Sequence, residues 1–308
     1  MEMESSGIII IDKPAGITSA KVIALLKRKA GLCKVGHTGT LDPFATGVLI
    51  CCLNQATRLA RFFLHGHKKY QGTLVLGMET DTLDITGKVT ATCDQIDFPV
   101  KRIQDVFRSF VGEIDQSPPV YSALKHHGVP LYKLARAGKP VQKASRRVTI
   151  SSLEILRIDL PKIDFQVACS GGTYIRSLCA DIGAKLGCGG YLQRLRRIES
   201  CGFTIDQSIT LENMETLASQ GRLNSNMIGM SDAISTMKGM IADETVSRKI
   251  FYGQPINDSD LTGDWIESDT NDRYNGFIKI VDIKNNLLAV MESEKRDGTY
   301  DYCCVFHP

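Results

Sequence analysis

In the segment GHTGTLDPFATG, residues 36–47, one carboxylate, Asp42, stands among glycines and next to a proline. It is the one acidic residue between Lys13 and Met78. The same stretch carries ten bases: Lys13, Lys21, Lys27, Arg28, Lys29, Lys34, Arg58, Arg61, Lys68 and Lys69. Pro43 disfavours the α region for the residue before it, so Asp42 is expected on extended or turning backbone. The glycines allow a ligand to approach the main chain closely. A carboxylate in so basic a field is expected to have a depressed pKa and to stay ionised. On an anion-binding surface an acid opposes affinity, and its presence needs a reason. One reason is a turn aspartate bonding its own backbone. The other is chemistry, a fixed anion set beside a nucleic acid as nucleophile or electrostatic catalyst. The spacing leaves both open.

A second acid-free tract, Gln116 to Leu153, carries Lys125, Lys133, Arg136, Lys139, Lys143, Arg146 and Arg147, and a third cluster is Arg194, Arg196 and Arg197. A single basic run is ordinarily a solvated face. Three acid-poor tracts in one chain suit a polyanion, because neutralising phosphates releases counterions. His37, Phe62, Phe63, His65, His67, Tyr70, Tyr121 and Tyr132 lie among these bases. Such rings can stack on unpaired bases, which favours RNA loops over duplex DNA. The remaining patterns are poor. GHTGT lacks the Gly-Lys-Ser/Thr ending of a phosphate loop. DTLDITG, residues 81–87, has Leu83 and Ile85 where a calcium loop needs oxygens. The six histidines and ten cysteines form no metal-ligand spacing and no C-x-x-C pair.

The elements that must position these residues follow from length and periodicity. A chain of 308 residues suggests two domains. With 43% hydrophobic and 23% charged residues it is neither disordered, collagenous nor a coiled coil. The cysteines read as small buried hydrophobes of a reducing cytosol. The N-terminus lacks a secretion signal, and no run reaches the roughly 20 apolar residues of a membrane span; a soluble cytoplasmic protein is expected. Strands are expected at Gly7 to Ile11 and Val48 to Leu53. Gln71 to Met78 is expected to pair with Gly87 to Thr92, and Arg147 to Leu160 and Ile163 to Cys169 read as two further strands. Lys34 to Gly47 reads as a loop. Helices are expected after Ser19 as cap, after Pro99, and from Thr173 with the stripe Ile175, Leu178, Cys179, Ile182 and Leu186. Strands and helices mix without a βαβ rhythm, which favours an α+β fold with a mixed sheet. Composition shifts near residue 225. Strand candidates at Phe277 to Asp282, Leu287 to Glu292 and Tyr300 to His307 make a small, mostly β appendage, preceded by an acidic stretch from Asp258 to Asp272.

Read together, these segments resemble the TruB family of pseudouridine synthases. The likeness runs through GIIIIDKPAGITSAKV (7–22), KVGHTGTLDPFATGVLICCLNQATRL (34–59), KKYQGTLVLGMETDTLDITG (68–87), QSPPVYSALKHHGVPLYKLARAG (116–138), CSGGTYIRSLCADIGAKLG (169–187) and YLQRLRRIESCGF (191–203). The resemblance implies a largely antiparallel mixed sheet flanked by helices in a catalytic domain, residues 1–230, followed by a PUA-like domain, residues 231–308. It implies isomerisation of uridine to pseudouridine at position 55 of the tRNA T-loop. That reaction needs no cofactor or metal, and no membrane or obligate protein partner is implied. Asp42 matches the family's essential aspartate, Tyr70 the tyrosine that stacks on the target base, and Arg176 the arginine that pairs with the aspartate. His37, Gly36, Thr40, Tyr174, Leu195 and Lys13 match substrate-binding positions. On the residues alone, Tyr70 could pack between strands, His37 could serve a turn, and Arg176 could be a surface charge. An RNA-binding protein or tRNA chaperone, a DNA-binding regulator, and a synthase acting at another RNA site remain the rival readings.

Overall fold

The computed structural model describes residues 6–267, 274 and 276–307. The chain opens with strand β1 (Gly7–Lys13), helix α1 (Ser19–Lys29), strands β2 (Val35–Thr38) and β3 (Thr46–Leu53) and the short helix α2 (Ala60–Phe63). Next come β4 (Lys68–Leu76), β5 (Met78–Thr80), β6 (Val89–Thr92), α3 (Val100–Arg108) and β7 (Gly112–Gln116). A small ribbon, β8 (Lys125–His126) and β9 (Val129–Pro130), leads into α4 (Leu131–Arg136). The long strands β10 (Arg146–Asp159) and β11 (Lys162–Cys169) precede α5 (Ile175–Leu186), β12 (Gly190–Ser200), β13 (Phe203–Thr204), β14 (Ile209–Thr210) and α6 (Leu211–Ser219).

These strands build one sheet in the order β14-β1-β3-β12-β4-β11-β10-β7, with β13 beside β12 and β2 beside β3. Along that order only β14–β1 and β12–β3 are parallel, so the sheet is mixed and largely antiparallel, in an α+β fold. The expected stripe of α5 is buried, and together with Ile103 and Phe107 of α3 it covers Leu74, Phe165 and Leu192 of the sheet. At the other end α1 and α6 bury Val22, Leu26 and Met214 against Ile9, Ile11, Leu49 and Cys51. Helix α7 (Met230–Ala233) leads to a second sheet, formed by β15 (Gly239–Ile241), β16 (Trp265–Ile266), β17 (Phe277–Val281), β18 (Leu287–Arg296) and β19 (Thr299–Val305), with α8 (Glu244–Phe251) against it. Phe62 joins the two sheets through edge contacts with Tyr274 and Phe277. Of the acidic stretch, Asp258 and Asp260 pair with Lys295 and Lys249; positions 269 and 272 lie outside the described residues. No helix among the described residues is long and apolar enough to cross a membrane.

Several local expectations are corrected by long-range pairing. Residues 35–38 are not loop but a strand laid along 50–53, since ladder bonds need backbone only and Gly36 supplies it. The strand from Gln71 does not pair with 87–92. It lies between β11 and β12, while the short β5 takes β6. Residues 190–200, for which the sequence pattern predicts no strand, form the central strand. Register shifts between Leu192 and Arg194 and between Arg197 and Glu199 break the alternation that marks a strand. Thr18, not Ser19, caps α1 by accepting from the Lys21 amide. Phe63 is core rather than a stacking ring.

Candidate active site

The loop between β2 and β3 carries Asp42 and is fastened from three sides. Ser19, buried at the start of α1, accepts from the Leu41 amide at 2.9 Å and donates to the Leu41 carbonyl at 3.1 Å. The Gly16 amide donates to the Pro43 carbonyl at 2.8 Å. Lys13, 0% exposed, donates to the carbonyls of Pro14 and Ile17 at 2.8 Å and reaches that of Pro43 at 3.3 Å. Gly47 returns the loop to β3 at φ +103°, where a Cβ would collide with the Arg197 carbonyl; only glycine fits that approach. Asp42 is left with its side chain 35% exposed to a cavity of about 340 Å³.

Arg176 reaches Asp42 from the first turn of α5. Its Nε lies 2.9 Å from Oδ2 and its Nη2 donates to Oδ1 at 3.2 Å. The guanidinium spans both carboxylate oxygens, the geometry that makes such pairs specific. Its other contacts are the Thr82 carbonyl at 2.9 Å, the Tyr121 carbonyl at 2.9 Å and Asp84 Oδ2 at 3.5 Å. Arg176 is 4% exposed, not a surface charge. Asp84 in turn accepts from the hydroxyls of Thr82 and Thr86 and from the Thr86 amide. The expected depression of the Asp42 pKa is corrected. Burial pushes its carboxyl above the usual carboxylate range. Arg176 pulls it back down, Asp84 adds to the rise, and Lys13 opposes it. Desolvation outweighs the surrounding bases because Lys21, Lys27, Arg28, Lys29, Lys34, Arg58 and Arg61 are exposed, where water screens them.

Tyr70 faces Arg197 across the β4–β12 ladder, and Gly72 faces Leu195 one step along. Tyr70 is buried, which raises its phenol pKa, while the nearby Arg197 charge and a hydrogen bond from it act downwards. Arg197 is 0% exposed and donates to the Val48 carbonyl at 2.7 Å and the Gly39 carbonyl at 2.8 Å. It therefore couples the aspartate loop to the strand of Tyr70. Thr40, Tyr174 and Leu195 line the same cavity as Asp42, Tyr70 and Arg176. Gln116 holds Tyr174 at both backbone atoms, accepting from its amide at 2.8 Å and donating to its carbonyl at 3.0 Å. Gly36 and His37 lie on β2, outside that lining, and Lys13 lies beneath the loop. Burial and the Arg197 charge lower the His37 pKa, so its imidazole is neutral near pH 7.

Sequence reasoning passed over Asp84 and assigned Arg197 to a surface cluster. For Asp84 the signal was present: a second carboxylate one short segment beyond Tyr70, in a run already set aside as no calcium loop. For Arg197 there was none, since only the pairing of β12 turns it inward. Among the described residues no group of three or more His, Cys, Asp or Glu is placed to hold a metal ion.

The TruB family pseudouridylate synthase N-terminal domain matches residues 27–175, and the tRNA pseudouridylate synthase B C-terminal domain matches residues 176–233. The tRNA pseudouridine synthase B of Syntrophotalea carbinolica is 44% identical over 262 residues, 85% of each chain. The chain belongs to the TruB family. A further TruB relative, tRNA pseudouridine synthase B of Geobacter sulfurreducens, is 38% identical over 94% of this chain and 97% of its own. Two solved structures share the TruB fold: an H/ACA RNP bound to a substrate RNA containing 2′-deoxyuridine and a Cbf5-Nop10-Gar1 complex. Each has a TM-score of 0.73 over 98% of this chain and 85% of the matched chain, at 25% and 26% identity.

Proposed function

We propose that this TruB-family chain isomerises uridine to pseudouridine in tRNA, at position 55 of the T-loop, with Asp42 as the catalytic anion. The observation that carries this reading is the Asp42–Arg176 pair opening into a cavity that Tyr70 also lines. In the reaction the bond from ribose C1′ to N1 breaks, C1′ joins C5, the C5 proton leaves and N1 gains one. No oxidant or energy donor enters the balance. Asp42 works as the anion and Arg176 holds it ionised and aimed. A low-polarity wall makes that pairing stronger than it would be in water. A base inside a folded loop must be extruded at a cost of a few kcal/mol. Stacking on Tyr70 and Tyr174, with Thr40 and Leu195 around the base, offsets that cost, and Gly36, His37 and Lys13 shape the entrance and floor. The exposed bases Lys125, Lys133, Arg136, Lys139 and Arg147 supply phosphate contacts that position the T-arm. The same reading makes residues 1–230 the catalytic unit and 231–308 a PUA-like unit in a cytoplasmic enzyme.

The test is tritium release from C5-labelled uridine in tRNA. Asp42→Asn is expected to abolish release while tRNA still binds within a fewfold of the unaltered protein. Normal turnover by that variant would remove Asp42 from the chemistry.

A further inference from the structure

Strand β19 is the edge strand of the second sheet, and its register slips once. Cys304 faces Val290 and Tyr302 faces Met291, which leaves Cys303 without a paired residue on β18. The slip decides where the side chains point. Tyr300 and Tyr302 pack on the α8 side of the sheet. Strict alternation would send Cys303 to the opposite face and bring Cys304 back to theirs. Instead Cys303 and Cys304 both join the cluster of Ile8, Val48 and Phe63, and Val305 returns to the α8 side. Bulges re-aim side chains in this way. The two free thiols are in hydrogen-bond contact, beside the charges of Arg58 and Arg61. Cys304 is buried and Cys303 partly exposed. The backbone just beyond them is held from outside the sheet. Arg58 donates to the Val305 carbonyl, and Gln55 accepts from the His307 amide at 3.1 Å and donates to its carbonyl at 2.6 Å.

We propose that Cys303 and Cys304 form a reversible oxidation site, closing to a disulfide between neighbours when the protein meets a hydroperoxide. The Cys303 thiolate attacks the peroxide and its O–O bond breaks. A sulfenic acid forms, and the departing hydroxide takes up the proton the thiol had released. The Cys304 sulfur then attacks that of Cys303. The S–S bond forms, the S–O bond breaks, and the departing hydroxide takes the Cys304 proton. Two thiols and one hydrogen peroxide thus give one disulfide and two waters. Burial pushes the Cys304 thiol up to about 12, so it stays protonated as the resolving group while the partly exposed Cys303 meets the oxidant. The bulge eases closure, since Cys303 has no residue paired with it on β18. Neighbouring Cα atoms stand about 3.8 Å apart, closer than unstrained disulfides hold them, so the bond is readily reduced again. The same strain falls on the strand that Arg58 and Gln55 hold. A cross-link between neighbours removes almost no freedom from the unfolded chain. Oxidation here therefore lowers stability, where a disulfide closing a long loop raises it.

The test uses the intact chain. Trypsin cleaves after Arg296 and frees residues 297–308, which carry Cys303 and Cys304 and no other cysteine. The protein is treated with hydrogen peroxide, its remaining thiols are alkylated after unfolding, and that peptide is weighed. The expected product lacks two hydrogens and carries no alkyl group, and after dithiothreitol it takes up two. It forms at peroxide doses that leave the fully buried Cys51 and Cys179 reduced. The oxidised protein melts a few degrees lower until dithiothreitol restores it, and Cys303→Ser, changed at the partly exposed position, shows neither effect. Two free thiols in the peptide at doses that oxidise the exposed Cys33 would overturn the proposal. So would a cross-link from either sulfur to another cysteine, a sulfinic acid at Cys303 beside an unreacted Cys304, or a melting temperature that rises on oxidation. Cys304→Ser removes the resolving sulfur and is expected to stop at a sulfenic acid on Cys303 that dimedone traps; no adduct there would count equally against the site.

Discussion

Arg176→Lys keeps the positive charge and removes the fork, so it isolates what the geometry contributes. The guanidinium touches both oxygens of Asp42 at 2.9 and 3.2 Å and two backbone carbonyls at 2.9 Å each. A lysine ammonium donates from one nitrogen and cannot span the carboxylate and both carbonyls at once. At least one charge-assisted bond to Asp42 and one to a carbonyl are lost. Hydrogen bonds to charged groups are each worth about 1.5–3 kcal/mol. Asp42 remains paired, though loosely aimed, so a net loss of about 2–4 kcal/mol in transition-state stabilisation is expected, a rate reduction of roughly 30- to 1,000-fold. Single-turnover tritium release at saturating tRNA measures it directly, with circular dichroism to establish that the variant is folded. A folded Arg176→Lys protein reacting within threefold of the original rate would show that charge alone suffices and that the fork has no catalytic role.

Two more outcomes follow from the same geometry. Burial raises the Asp42 carboxyl above its usual range, and the anion is the working form. The single-turnover rate is therefore full above that raised pKa and falls tenfold per pH unit below it. Its acid limb lies above the ordinary aspartate value of about 3.9, and a limb at or below that ordinary value would refute the desolvation argument. Gly47→Ala places a Cβ against the Arg197 carbonyl at a left-handed φ of +103°. The expected result is a protein that fails to fold or melts far below the unaltered chain. A variant within a few degrees of normal would mean that the junction of β3 with β12 is not tightly packed.

Much of the local structure was legible because its causes are local. The stripe of α5 and the run of isoleucines in β1 announce their buried faces by residue type at the proper period. Ser19 shows where that reasoning stops. It has the chemistry of a cap, but its neighbour Thr18 takes the role, and Ser19 instead holds Leu41 from 22 residues away. Likewise sequence order suggests the next strand along the chain as the neighbour of β4. It lies instead between β11 and β12, which bury it on both edges.

The order of its residues by itself marked one carboxylate amid bases, and its likeness to the TruB family added a tyrosine after two lysines and an arginine at the head of an amphipathic helix. Tertiary structure decided their state. It brought Asp42 and Arg176, 134 positions apart, into contact. It turned Arg197 from a surface charge into a buried tie between loop and strand, and made desolvation outweigh the basic field at Asp42. The physical reason is that side-chain chemistry is carried by each residue, whereas burial and partner distance belong to the packed chain. A pKa depends on both.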